Sequence, residues 1–249
     1  MEDFIVFKDL HKTFGPNQVL RGVDLAIRKG ETVVVLGGSG SGKSVLLRHT
    51  IGLHRPDAGE VWVDGTEISG FDEDELMPVR RKVGMLFQGG ALFDSMDVYD
   101  NVAFGLREHT DMEEPEIAAR VKELLDLVEL ENVDELMPSD LSGGMRKRVA
   151  LARAIALAPA GILYDEPTTG LDPIRADAIN RLIINLQRAL NATSVVVTHD
   201  IQSAFMVGDR VAFLYEGKLE FVGSVDEARR TKDPRLKEFL RLGSEAGRS

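Results

Sequence analysis

The sequence contains no cysteine, which excludes disulfides and thiolate metal sites and is compatible with the cytosol. It also lacks any apolar run approaching the about 20 residues that a membrane-crossing helix requires. Met1-Glu2-Asp3 has none of the basic character that opens a secretory signal, so export is not expected. Positive charge is in deficit, with 30 Lys and Arg against 41 Asp and Glu and a formal net charge of -11. A broad nucleic-acid surface needs clustered Lys and Arg, so no nucleic-acid partner is expected. Neither internal repeats nor low-complexity linkers interrupt the 249 residues, which suffice for one large or two modest domains.

What the chain does hold is phosphate chemistry. Gly37-Gly38-Ser39-Gly40-Ser41-Gly42-Lys43-Ser44 fits the G-x-x-x-x-G-K-[ST] phosphate loop at every position. Thr32 to Leu36 before it is a β-branched run suited to a buried parallel strand, and Val45 to His49 after it has helical character. The glycines let backbone N–H groups face phosphate oxygens, and the following helix adds unpaired donors and the positive end of its dipole. Lys43 is expected at the β/γ-phosphates and the Ser44 hydroxyl on Mg2+. A plain Gly/Ser loop before a helix would not require the whole pattern.

Hydrolysis needs a metal carboxylate and a base on neighbouring strands. Gly161 to Asp165 reads as a buried strand, placing Asp165 at its carboxyl end as a Mg2+ ligand, direct or through water. Glu166 follows as general base for the attacking water. Alone, such a pair often only caps a helix; downstream of a phosphate loop it carries weight. Thr193 to Thr198 is a further strand ending at His199, which could reach the γ-phosphate and the water. A lone strand-end histidine is more often structural.

A second anion-binding element lies at Leu141-Ser142-Gly143-Gly144-Met145, followed by Arg146-Lys147-Arg148. Ser142 suits an N-cap, and Met145 to Leu157 is rich in helix formers. Three cations at a helix N-terminus oppose its dipole. Either a phosphate from a partner subunit relieves them, or they are solvated or paired with nearby carboxylates such as Asp140. Elsewhere, residues 3 to 30 and 59 to 70 alternate short strands with Gly turns, as in an antiparallel flap. Ile117, Val121, Leu124, Leu125 and Val128 form one helical face, and Pro173 opens a helix over 173 to 190. The last 25 or so residues read as short helices with a polar end.

In this order the motifs resemble the ATP-binding subunit of an ABC transporter over essentially the whole chain. The resemblance implies an α/β fold: a P-loop NTPase (RecA-like) core with an antiparallel β flap and an inserted α-helical subdomain. Residues 1 to 94 and 159 to 230 would form the core and flap, 95 to 158 the helical subdomain, and 231 to 249 a C-terminal helical tail. Gln88 matches the Q-loop, a reporter and Mg2+ ligand; Leu141 to Met145 matches the signature, Gly170-Leu171-Asp172 the D-loop, and His199 the switch histidine. Phe14 matches the aromatic that stacks on adenine, although alone it could equally be a core residue. ATP and Mg2+ are the implied ligands. The implied assembly is a head-to-tail dimer with two ATP molecules between the copies, Ser142, Gly143, Gly144 and Asp172 of one copy facing the nucleotide of the other.

The stretches Phe87 to Met96, Leu141 to Ala150, Tyr164 to Ile174 and Asp233 to Leu240 look like the Mla/MCE lipid-transport branch. That branch implies lipid transport between the inner membrane and the cell envelope, with the ATPase peripheral on the cytoplasmic face beneath permease subunits. An MCE-domain lipid-binding protein and a STAS-domain protein would be further partners. Leu92, Phe93 and Met96 would then line the groove for the permease, or else anchor the helical subdomain. The chain departs from the commoner pattern at Met145, where Gln is usual, and at Gly170, where Ala or Ser is usual. The rival readings are an ATPase for another importer, such as one for polar amino acids, a soluble ABC ATPase of an assembly complex, and a nucleotide-gated module without turnover.

Overall fold

The computed structural model describes residues 2–246, so Met1 and the last three residues of the expected polar end lie outside the described residues. β1 (Asp3–Phe14) and β2 (Asn17–Arg28) are 12 residues each and pair antiparallel. Short strands were the expectation here, and the difference has a local cause. The β1–β2 register shifts several times, and Asp9 sits in β1 with φ 44°. Bulges of this kind lengthen a strand while breaking its two-residue alternation. In β4 (Ala58–Val63), which pairs with β1, Gly59 fits against the bulge because a Cβ there would stand 2.2 Å from the Asp9 carbonyl oxygen. β5 (Thr66–Glu67) completes a four-stranded sheet in the order β2-β1-β4-β5.

The larger sheet joins β3 (Thr32–Leu36), β6 (Val83–Leu86), β7 (Gly161–Asp165), β8 (Thr193–Thr198), β9 (Arg210–Tyr215) and β10 (Lys218–Ser224). Their order is β10-β9-β3-β8-β7-β6, parallel except for the β9–β10 hairpin. β3, β7 and β8 are buried at every residue, as parallel strands covered on both faces must be. Their alternate side chains serve two cores. Val33, Val35, Leu163, Val195 and Val197 pack with the small sheet, while Val34, Leu36, Ile162, Tyr164 and Val196 pack with the helices. Each such side chain contributes about 1.5–3 kcal/mol by burial, so the central strands are fixed from both sides.

α1 (Lys43–His49) follows β3, and α2 (Glu73–Lys82) precedes β6 with an Asp72–Glu75 capping box. α3 (Val98–His109), α4 (Glu114–Leu127) and α5 (Gly143–Ile155) form a helical cluster between β6 and β7. Ile117, Val121, Leu124, Leu125 and Val128 are all buried there, as their spacing requires. α6 (Pro173–Leu190) begins at Pro173 under an Asp172 cap and ends at Asn191, a left-handed C-cap. α7 (Ile201–Val207), α8 (Val225–Arg229) and α9 (Pro234–Ala246) complete the chain. α9 has 13 residues, longer than the short helices expected, and Leu236 and Phe239 hold it against the core.

Candidate nucleotide site

Sheet register brings the motifs together: Leu36 lies beside Thr198 and Asp165 beside Val197. The carboxyl ends of β3, β7 and β8 therefore open on one edge, where ligands bind in sheets of this type. The phosphate loop leaves β3 there. At Gly37 a Cβ would meet the Leu214 carbonyl oxygen at 2.4 Å, so the loop passes against β9 only as glycine. Gly42, with φ 103°, precedes α1 without any side-chain cap, which leaves the helix N-terminus available to an anion. Ser39 and Gly40 are exposed at the loop tip, with Gly38, Ser41, Ser44 and Val45 half-buried around it.

Lys43 is buried, and its ammonium donates to the carbonyls of Gly37 and Gly38, both at 2.9 Å. The same ammonium lies 3.4 Å from Glu166 Oε1. Ser44 Oγ donates to Asp165 Oδ1 at 2.6 Å. The other oxygen, Oδ2, is buried with no hydrogen-bond partner, and Arg48 approaches it only to 3.6 Å. A hydroxyl and a carboxylate oxygen in need of a partner suit a hard oxygen-seeking cation such as Mg2+, which takes its remaining ligands from phosphate and water. Among the described residues no group of three or more His, Cys, Asp or Glu forms a metal cluster, so none of them offers a full protein cage.

Glu166 is held by more partners than any other residue of the site. Its Oε2 accepts from Thr169 Oγ1 at 3.0 Å, His199 Nδ1 at 2.9 Å and, at the limit of 3.5 Å, Thr198 Oγ1. Its backbone N–H donates to Val197 O and its carbonyl accepts from Lys147 Nζ at 3.2 Å. It keeps a left-handed φ of 50° while only 7% exposed. Because a carboxylate only accepts, His199 carries its proton on Nδ1 when neutral, leaving Nε2 as the acceptor. Burial pushes the Lys147 ammonium below its ordinary pKa. Thr169, Thr198 and Lys147 were not foreseen as supports of Glu166. The tandem Thr168-Thr169 and the lysine inside the basic run are the only traces of them in the sequence.

The remaining expected residues lie around this centre. Gln88 is exposed two residues past β6, on the strand next to β7. Phe14 ends β1 with 41% exposure, the Lys12 ammonium 5.4 Å from its ring centre and His54 standing across it at 5.2 Å. Ser142 caps α5, accepting from Met145 N at 3.3 Å. Cβ atoms built on Gly143 and Gly144 would lie 3.8 Å from Leu171 and 3.9 Å from Arg175, so the signature adjoins the D-loop. Asp172 caps α6 through Arg175 N and pairs with the Arg175 guanidinium at 3.2 Å.

The basic run is satisfied within the chain. Arg146 donates to Leu141 O, Lys147 to Glu166 O, and Arg148 to Val128 O and Glu129. The local reading of this run therefore holds, with carbonyls and Glu129 in place of Asp140. No partner phosphate is needed to explain it. The segment after Gln88 divides by residue: Leu92 packs on the helical core, while Phe93 is 40% exposed beside Phe104 with the Arg153 guanidinium 5.1 Å from its ring centre. Buried Asn101 pins the turn, donating to the carbonyls of Phe93, Met96 and Asp97 and accepting from Phe93 N.

A family model described as "ABC transporter" matches residues 20–169. "Probable ribonucleotide transport ATP-binding protein mkl" of Mycobacterium leprae is 44% identical over 236 residues, 95% of this chain and 68% of that protein. "Intermembrane phospholipid transport system ATP-binding protein MlaF" of Escherichia coli is 40% identical over 238 residues, 96% of this chain and 88% of MlaF. A dimeric post-hydrolysis structure of the ATP-binding cassette MJ0796 bound to ADP and Pi superposes with a TM-score of 0.83 at 36% identity, covering 89% of this chain and 98% of that one. A phosphate loop joined through Ser44 and Lys43 to a strand-end Asp-Glu pair, inside a chain that aligns with such proteins over most of its length, leads to one family: this protein is an ATPase of the ABC transporter family.

Proposed function

We propose that this ATPase powers movement of phospholipids or other hydrophobic molecules between an inner membrane and the cell envelope. The likeness to MlaF across 88% of its length supports that substrate class. The four-way hold on the Glu166 carboxylate supports its role as the base for hydrolysis. A γ-phosphate entering the loop draws Lys43 from the carbonyls of Gly37 and Gly38, and Glu166 takes the proton of the attacking water while His199 holds its Oε2. Ser44 and Asp165, with Gln88, would hold Mg2+, which supplies charge neutralisation at the phosphate oxygens. Phe14 carries the adenine.

The signature and D-loop, side by side with Ser142 and Asp172 exposed and Gly143 and Gly144 half-buried, serve ATP on a second copy in a head-to-tail dimer. A core with its flap at 1 to 94 and 159 to 230, a helical subdomain at 95 to 158 and a C-terminal tail divide the work. The segment after Gln88, with Phe93 exposed beside Arg153 at the groove between α2, α3 and α5, receives permease subunits on the cytoplasmic face of the membrane. An MCE-domain lipid-binding protein and a STAS-domain protein complete the assembly. Glu166→Gln is expected to lower phosphate release by about 10²–10⁴-fold while ATP binding persists; undiminished release would remove the assignment. For the substrate class, purification from membranes is expected to recover a permease whose complex carries phospholipid; a complex that carries ribonucleotide instead would overturn it.

A further inference from the structure

Three aromatic side chains form a row that starts at the adenine platform: Phe14, His54 and His49. His49, the last residue of α1, is 1% exposed, and its Nδ1 lies 2.7 Å from the Val45 carbonyl oxygen. A carbonyl only accepts, so Nδ1 carries the proton. Burial pushes the ring's pKa down to about 4, so the ring is neutral near pH 7 and Nε2 is a bare acceptor. That Nε2 is buried with no hydrogen-bond partner among the described residues. The ring centre of His54 lies 5.7 Å from that of His49, and His54 in turn stands at 71° to Phe14 with 5.2 Å between centres. Burial, aided by the nearby charges of Arg48 and Lys12, also lowers the pKa of His54.

We propose that His54 selects adenine over guanine. One ring N–H of His54 turns to the orphaned Nε2 of His49, and the opposite ring nitrogen is thereby left as an acceptor. The upright His54 ring borders a base lying on Phe14. Adenine offers its exocyclic amino group as donor to that nitrogen. Guanine carries a carbonyl oxygen at the corresponding position, so two acceptors would face each other. The acceptor state of His54 is thus set by His49, which does not touch the nucleotide; a second hydrogen bond deciding which nitrogen holds the proton is an ordinary device of histidine sites.

The inference rests on Phe14 as the base platform, and the test separates the two. ATP and GTP affinities are measured by calorimetry on the full chain carrying Glu166→Gln, which suppresses turnover. ATP is expected to bind roughly tenfold more tightly than GTP, the effect of one hydrogen bond whose loss leaves a partner unpaired. His54→Ala should bring the ratio near one by weakening ATP alone. His54→Gln, whose amide donates with nitrogen and accepts with oxygen, should restore part of it. A ratio near one in the parent protein, or an unchanged ratio in folded His54→Ala, overturns the proposal. If Phe14→Ala leaves both affinities unchanged, the platform itself fails and the proposal falls with it.

Discussion

The phosphate end of the site and the signature face are built in opposite ways. Lys43, Asp165 and Glu166 are buried; Lys43 is tied to Glu166 and to the loop carbonyls, and Asp165 to Ser44. Ser142, Asp172 and Arg175 are exposed, and each is tied mainly to the start of its own helix. Buried polar groups need partners and are set in place by folding, whereas exposed ones keep their donors and acceptors free for a later partner. One chain thus fixes its phosphate-loop side chains by its own folding, and presents a separate exposed surface at the signature. Ile174, 83% exposed between Asp172 and Arg175, is a large apolar side chain left open on that surface.

Three substitutions break or sharpen this contrast. The largest effect is expected from Lys43→Ala, which removes a charge-assisted donor and leaves the Gly37 and Gly38 carbonyls without their partner. ATP affinity should fall by about ten- to a hundredfold, and calorimetry reads it directly. Retained affinity would mean that the loop backbone alone holds phosphate. Next comes Ile174→Lys. In the Glu166→Gln background, ATP-driven dimerisation followed by ultracentrifugation should weaken by about tenfold, as the loss of one large buried apolar contact implies. Thermal stability of the monomer should not change, and a fall in it would place Ile174 in the fold instead of the contact surface. Ser142→Ala should be smallest on stability, about 1 kcal/mol and a Tm lower by roughly 2–4 °C, from loss of the α5 cap. If calorimetric unfolding shows no change, the hydroxyl serves only the partner.

The same contrast separates what could be read in the sequence from what could not. β3, β7 and β8 follow from runs of β-branched and apolar residues, because a strand buried on both faces needs no alternation. α6 is bounded by a local signal at each end, Pro173 under Asp172 and the left-handed Asn191. β1 and β2 are less legible, since the bulge at Asp9 depends on Gly59 in a strand some fifty residues away in the chain. Lys43, Ser44, Asp165 and Glu166 stand in contiguous motifs whose chemistry dictates their types. Thr198 and Lys147 reach Glu166 only when separate segments of the chain meet, while Thr169 and Asn101 bind within their own turns through contacts that no motif marks. The basic run left two readings open for the opposite reason. Three adjacent cations look like one patch, but successive residues on a helix point in different directions, and these reach three separate partners.

Glu166 combines a left-handed backbone with a long acidic side chain, a combination that glycine or asparagine would adopt with less strain. Selection for durability and selection for work therefore pull apart at this single codon. On the proposed role of Glu166 as the base, a lineage released from the need for turnover has an easy route here, in which one substitution relaxes the chain and silences it together. Descendants that hold glycine or asparagine at this place would be expected to melt later than their active ancestor, while still closing around nucleotide.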